Sequence, residues 1–125
     1  MKFICLGYFN QEILDAMPLD EVNNFIAESL AYGEELQKAG HVTGIELLQS
    51  PDFGKTVRNI NGKVEVTDGT TVVMDKVLIP IITLEAESIA HAVELMSKHP
   101  ALEKSGSFEI RRVEDINEMK EIAGK

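Results

Sequence analysis

Proton transfer near neutral pH calls for a histidine, or for a carboxylate whose pKa has been moved, and the chain holds three histidines. His91 falls about 200° from Ile89 on a helical wheel, so it is expected to face water. His99 precedes Pro100 at a helix end, where a cation complements the dipole. Both are expected to be structural. His41 opens a strand directly after Gly40 and can border a cleft. Asp68 stands before Gly69: an aspartate there either bonds its own backbone in a turn or, with burial raising its pKa, serves as acid or base. Tyr8 either presents its hydroxyl to a pocket or sits as a core aromatic with a satisfied tip. Glu109 and Arg111 share one face of a strand and can pair in solvent or inside a barrel; Arg111 can also hold an anionic substrate. Cys5, within an apolar run, is expected to be a packed thiol rather than a nucleophile. The chain has no phosphate-binding glycine loop, zinc-ligand spacing, nucleophile elbow or dinucleotide fingerprint. Neither a metal nor a cofactor is expected.

The elements that must position these residues follow from periodicity. Phe3 to Phe9 is a strand with Phe3, Cys5 and Phe9 on one face and Ile4, Leu6 and Tyr8 on the other. A strand apolar on both faces must be covered on both. A helix is expected from Leu19 to Ala39, with Asp20 and Glu21 at its N-terminus and Gly40 as stop signal. Its inward stripe contains Val22, Phe25, Ile26, Ser29, Gly33 and Leu36. Ser29 and Gly33 are small residues in the middle of that stripe, so either the helix approaches the sheet closely there or a cavity opens there. Strands are expected at His41–Leu48 and on both sides of Asn61-Gly62, a type I′ hairpin signal that sets Arg58 opposite Glu65 as an ion pair. Val77 to Leu84 is a further two-faced strand. Pro80 makes it an edge strand or places a bulge there. Ser88 caps a helix from Ile89 to Lys98 with Ile89, Ala92, Val93 and Met96 inward. Phe108–Val113 is the last strand, and Ile116, Met119 and Ile122 give the tail an amphipathic helical spacing.

Strand, helix, strand, hairpin, strand, helix, strand describes an α+β, ferredoxin-like sheet with both helices on one face. The other face stays apolar and bare, and a second copy is its simplest cover, giving a dimeric α/β barrel. The expected division is a domain over residues 1–113 and a helical tail over residues 114–125.

Composition narrows the partners. The net charge is −9, from 21 acidic and 12 basic residues, and Met1 to Gly54 carries nine acids against Lys2 and Lys38. A surface this negative repels nucleic acid and anionic membranes. One cysteine fits a reducing, cytoplasmic setting. The opening apolar run is too short for a signal sequence, and no stretch approaches ~20 apolar residues.

Several segments together resemble the YCII-related family in its DGPF-motif branch. They are Gly33-Glu-Glu-Leu-Gln-Lys-Ala-Gly40, Gly44-Ile-Glu-Leu-Leu-Gln49, Lys63-Val-Glu-Val-Thr-Asp-Gly69, Ser88-Ile-Ala-His-Ala-Val-Glu-Leu95 and Gly106-Ser-Phe-Glu-Ile-Arg111. The resemblance implies a dimeric ferredoxin-like barrel and an enzymatic role for a histidine on the first helix with an aspartate after the hairpin. Asp68 matches that aspartate, while the histidine position falls on Ser29. Thr70 and Thr71 replace the proline and phenylalanine of the signature, Val72, Val73 and Met74 replace the charged pattern after it, and Arg112 replaces a closing proline. Two functions follow as expectations. One is an isomerase- or lyase-like enzyme with Asp68 as acid or base, its pocket shaped by Ser29, Tyr8, His41 and Arg111. The other is a non-catalytic dimeric module that binds a ligand or partner in the same cleft.

Overall fold

The computed structural model of the chain describes residues 1–70, 76–104 and 106–123. Thr71, Val72, Val73 and Met74, named above against the DGPF signature, lie outside those residues. The elements in order are β1 (Lys2–Asn10), α1 (Gln11–Ala16), α2 (Leu19–Lys38), β2 (Val42–Leu47), β3 (Lys55–Ile60), β4 (Lys63–Asp68), β5 (Lys76–Glu85), α3 (Ile89–Met96), β6 (Ser107–Arg112) and α4 (Ile116–Ala123). Short 3-10 turns at Pro51–Phe53 and Pro100–Lys104 complete the chain.

Four strands form an antiparallel sheet in the order β2-β5-β1-β6, and β3 and β4 form a separate hairpin. Each half, β1–α2–β2 and β5–α3–β6, is a split β-α-β unit whose strands enclose one strand of the other half. This is the α+β ferredoxin-like fold. Asn61 (φ 54°) and Gly62 (φ 85°) both take the left-handed backbone of a type I′ turn. They set Ile60 against Lys63, Arg58 against Glu65 and Val57 against Val66. Among the described residues, however, the ion pair across the hairpin is Lys55–Asp68 at 2.5 Å rather than Arg58–Glu65. Gly40 (φ 81°) ends α2: its N–H donates to the Gln37 carbonyl at 3.0 Å and that of His41 to Leu36 at 2.9 Å, a Schellman closure.

Both helices lie against one face of the sheet. Phe3, Cys5, Ile82 and Leu84 from the strands meet Leu36 of α2 and Ala92 and Met96 of α3 in the core. Burial pushes the Cys5 thiol up to about 11, so it stays protonated and inert at neutral pH. The expected inward stripe of α3 needs correction. Ile89 and Val93 are 51% and 50% exposed, because the helix is turned so that Leu95 joins Ala92 and Met96 against the core. The hydroxyl of Tyr32 donates to the Leu95 carbonyl and holds that rotation.

On the opposite face Ile4, Leu6, Tyr8, Leu78 and Ile81 are only half-buried. The tail helix does not cover them: Ile116 and Met119 of α4 are 68% and 51% exposed. No helix of the described residues is long and apolar enough to cross a membrane.

Pro80 lies in a central strand, not at an edge, since β5 pairs with β1 on one side and β2 on the other. The missing N–H is absorbed by an irregularity: Leu6 faces Ile81 but Tyr8 faces Leu78, so β5 carries one extra residue opposite Gly7. A Cβ on Gly7 would lie 2.3 Å from Pro80 Cγ and 2.9 Å from Phe108 Cε1. The proline ring therefore occupies the space that only glycine leaves open. Gly7→Ala is expected to cost about 1–3 kcal/mol by overpacking, read from the urea midpoint. Adding Pro80→Ala should recover part of that loss; a double variant no better than the sum of the singles would show that the two residues are not in conflict.

Candidate functional site

The small residues of α2 produce both of the expected outcomes, one turn apart. A Cβ on Gly33 would sit 3.1 Å from Ile45 Cδ1, so the helix touches the sheet there. One turn earlier, the short side chain of Ser29 cannot reach the strands, and a cavity of about 470 Å³ opens beneath the helix. Val22, Phe25, Ile26 and Leu30 roof it, while Ile45, Ile79, Pro80 and Ile82 form its floor. Phe9 and Phe25, both on its wall, meet edge to face, 5.7 Å apart at 76°. The wall is almost entirely apolar, and among the described residues no lysine or arginine lines it.

A six-residue helix, too short to show a period in the sequence, supplies part of the rim. Asn10 caps α1 by accepting from the N–H groups of Glu12 at 3.0 Å and Ile13 at 3.3 Å. This presents Leu14 and Asp15 to the cavity. The signal was legible in Asn10, a strong capping residue ahead of Gln-Glu-Ile-Leu. Asp15 also accepts from Gln11 Nε2 at 2.7 Å.

Polar groups on the wall are few. The Ser29 hydroxyl oxygen is buried and lacks a hydrogen-bond partner. His99 is a second lining group, and its expected role as a solvent cation at a helix end is overturned. Helix α3 closes at Met96, and the turn His99 N–H to Met96 carbonyl (3.2 Å) carries the imidazole inward. There it is 8% exposed, edge to face with Tyr32 at 5.6 Å and Phe108 at 4.8 Å. Its Nδ1 accepts from the Ala101 N–H at 3.0 Å. Burial lowers its pKa to about 4, so the ring is neutral in use. Burial, with Glu35 adding, also raises the Tyr32 hydroxyl above its ordinary value.

The other sequence-selected residues lie elsewhere. Tyr8 and Arg111 are on the opposite face of the sheet, flanking Leu6 and Ile4 respectively. His41, just before β2, has Nδ1 3.3 Å from the Glu85 carbonyl and its ring 5.2 Å from that of His91. His91 is half-buried rather than turned to water, and its Nδ1 accepts from the Glu87 N–H at 3.0 Å. Asp68 is on the hairpin, its side chain 85% exposed and paired with Lys55. Of the five candidates only Ser29 lines the cavity, and within one chain His41 and Asp68 occupy separate elements. Among the described residues no cluster of three or more histidine, cysteine or carboxylate side chains is placed to hold a metal.

A family model described as YCII-related domain matches residues 1–117. No curated protein matches the chain. A solved structure of similar fold is 5-chloro-2-hydroxyhydroquinone dehydrochlorinase from Burkholderia phenoliruptrix AC1100, in complex with 2,5-dihydroxybenzoquinone. The likeness has a TM-score of 0.52 at 17% identity and covers 91% of this chain and 94% of that one.

His99 ties stability to pH. Its folded pKa lies below the ordinary value of 6.5, so between pH 6.5 and about 4 the unfolded chain binds the extra proton. The contribution is complete above pH 6.5 and is lost as pH falls toward 4, by up to about 3 kcal/mol. Urea unfolding from pH 7 to pH 4 should show this decline, and His99→Gln should flatten it. An unchanged slope in that variant would place the titrating group elsewhere.

Proposed function

The chain belongs to the YCII-related domain family, and from that premise we propose that it binds a small, uncharged, largely apolar molecule in the cavity beneath α2. The cavity wall carries this reading. Its volume of about 470 Å³ falls within the range of ligand pockets, roughly 300–1,000 Å³. Aliphatic and aromatic side chains face it with little to satisfy a charge, and among the described residues the lining has no lysine or arginine to offer an anion. Apolar walls left empty also forgo dispersion contacts that a bound hydrocarbon skeleton restores.

A second reading is the isomerase- or lyase-like enzyme with Asp68 as acid or base. Family membership favours it, and the dehydrochlorinase of similar fold is an enzyme captured with a small oxygenated ring. The position of Asp68 favours binding alone: its carboxylate is exposed, held by Lys55, and does not border the cavity. With serine at the histidine position, the imidazole that such a dyad needs is missing as well.

The same proposal takes the working form as a pair in the cytoplasm. A twofold mate laid on the open sheet face would cover Ile4, Leu6, Tyr8 and Ile81, and each face would meet a copy of itself. Glu109 and Arg111, exposed at the flank of that face, are of opposite sign and can pair reciprocally across such an axis.

Naphthalene at ten times its Kd should stabilise the chain by about 1.4 kcal/mol, seen as a raised unfolding temperature. Ser29→Phe, which fills the cavity, should abolish that rise, and Asp68→Asn should preserve it. A rise that survives Ser29→Phe would move the site elsewhere, and substrate turnover lost with Asp68→Asn would establish the catalytic reading instead. For the pair, light scattering should give twice the chain mass, reverting to one chain in Leu6→Arg; a wild-type monomer at all concentrations would rule the pair out.

A further inference from the structure

The apolar cavity contains two polar groups that nothing inside the protein uses fully. Ser29 Oγ is buried without a partner. His99 is 8% exposed and lines the same cavity. Because its Nδ1 accepts the Ala101 N–H at 3.0 Å, that nitrogen holds a lone pair and the ring proton sits on Nε2. Among the described residues no acceptor meets Nε2. The tautomer is therefore set from outside the cavity, and the donor is left over.

Resting on the reading of this cavity as a ligand site, we propose that His99 Nε2–H and Ser29 Oγ are its polar contacts and select a neutral ligand bearing a carbonyl or ether oxygen on an apolar skeleton. Stripping water from a donor without giving it a partner weakens binding. An oxygen acceptor on the ligand avoids that cost; a pure hydrocarbon incurs it. A carboxylate would have to shed its hydration against a wall that, among the described residues, has no cation and one uncharged imidazole. Asp15 at the rim adds repulsion. Ser29 can donate or accept, so it complements the fixed donor of His99 without demanding one ligand orientation.

Calorimetric titration of the full chain with three matched probes tests this. 2-Ethylnaphthalene supplies the skeleton, 2-acetylnaphthalene adds the acceptor and 2-naphthoate adds a charge. The ketone should bind at least about tenfold tighter than the hydrocarbon, and the naphthoate more weakly than either. Ser29→Ala and His99→Phe should each shrink the ratio of ketone to hydrocarbon affinity. His99 also accepts from Ala101, so its replacement can unfold the chain, and the wild-type protein supplies a second readout. The Nε2–H proton should move downfield in a ¹H–¹⁵N spectrum with the ketone and stay in place with the hydrocarbon. Equal affinity for ketone and hydrocarbon, or an unmoved Nε2–H, would overturn the assignment while leaving the cavity as a ligand site. Failure of all three probes to bind would remove the cavity reading and this inference together.

Discussion

Hydrophobic side chains point both ways from β1 and β5, while α2 and α3 shield only one side. On the shielded side Phe3, Cys5, Ile82 and Leu84 are sealed by Leu36, Ala92 and Met96, and that seal fixes where each helix must lie. Because α2 is pinned at Gly33 against Ile45, it cannot also close over Ser29. The cavity is thus a by-product of where the helix is allowed to touch. On the unshielded side the same strands present Ile4, Leu6, Tyr8 and Ile81, none of them fully covered. One sheet therefore poses two different burial problems, and a single chain solves the first.

Local signals carried much of this into the sequence. Asn61-Gly62 sets a hairpin register because both residues tolerate positive φ, and the strands on either side have no freedom to slip. Asp20, Glu21 and Gly40 bound α2 for similarly local reasons. Ser29 and Gly33 announced an anomaly in the helix face, but periodicity cannot say how far a helix stands from a sheet. The distance depends on Ile45, a residue of another element.

Other placements depend on the path of the chain. His99 looks like a solvent-facing helix end until the 3-10 turn after α3 folds it between Tyr32 and Phe108. The ion pair Glu21–Lys104, 2.7 Å long, links that turn to the start of α2, a contact between distant segments that no window of sequence contains. A proline cannot complete a ladder, so Pro80 implies an edge strand or a bulge, and the bulge is the outcome. The sheet keeps it central by conceding a bulge and a glycine opposite. Helix α1 is too short for a period to register, so only its cap residue marked it. The position of Asp68 apart from the cavity likewise reflects tertiary geometry: the hairpin is a sheet of its own, and nothing in Lys63–Asp68 says where that sheet points.

The two tyrosines sit on opposite sides of the β-layer, and the chain has no tryptophan. Tyr32 is on the cavity wall with its hydroxyl committed to the Leu95 carbonyl, whereas Tyr8 is on the open face. Intrinsic emission from the native protein thus comes from one ring per side. Substituting either with phenylalanine leaves a fluorophore that watches a single event, cavity occupancy through Tyr32 or contact with another molecule through Tyr8, without any attached dye.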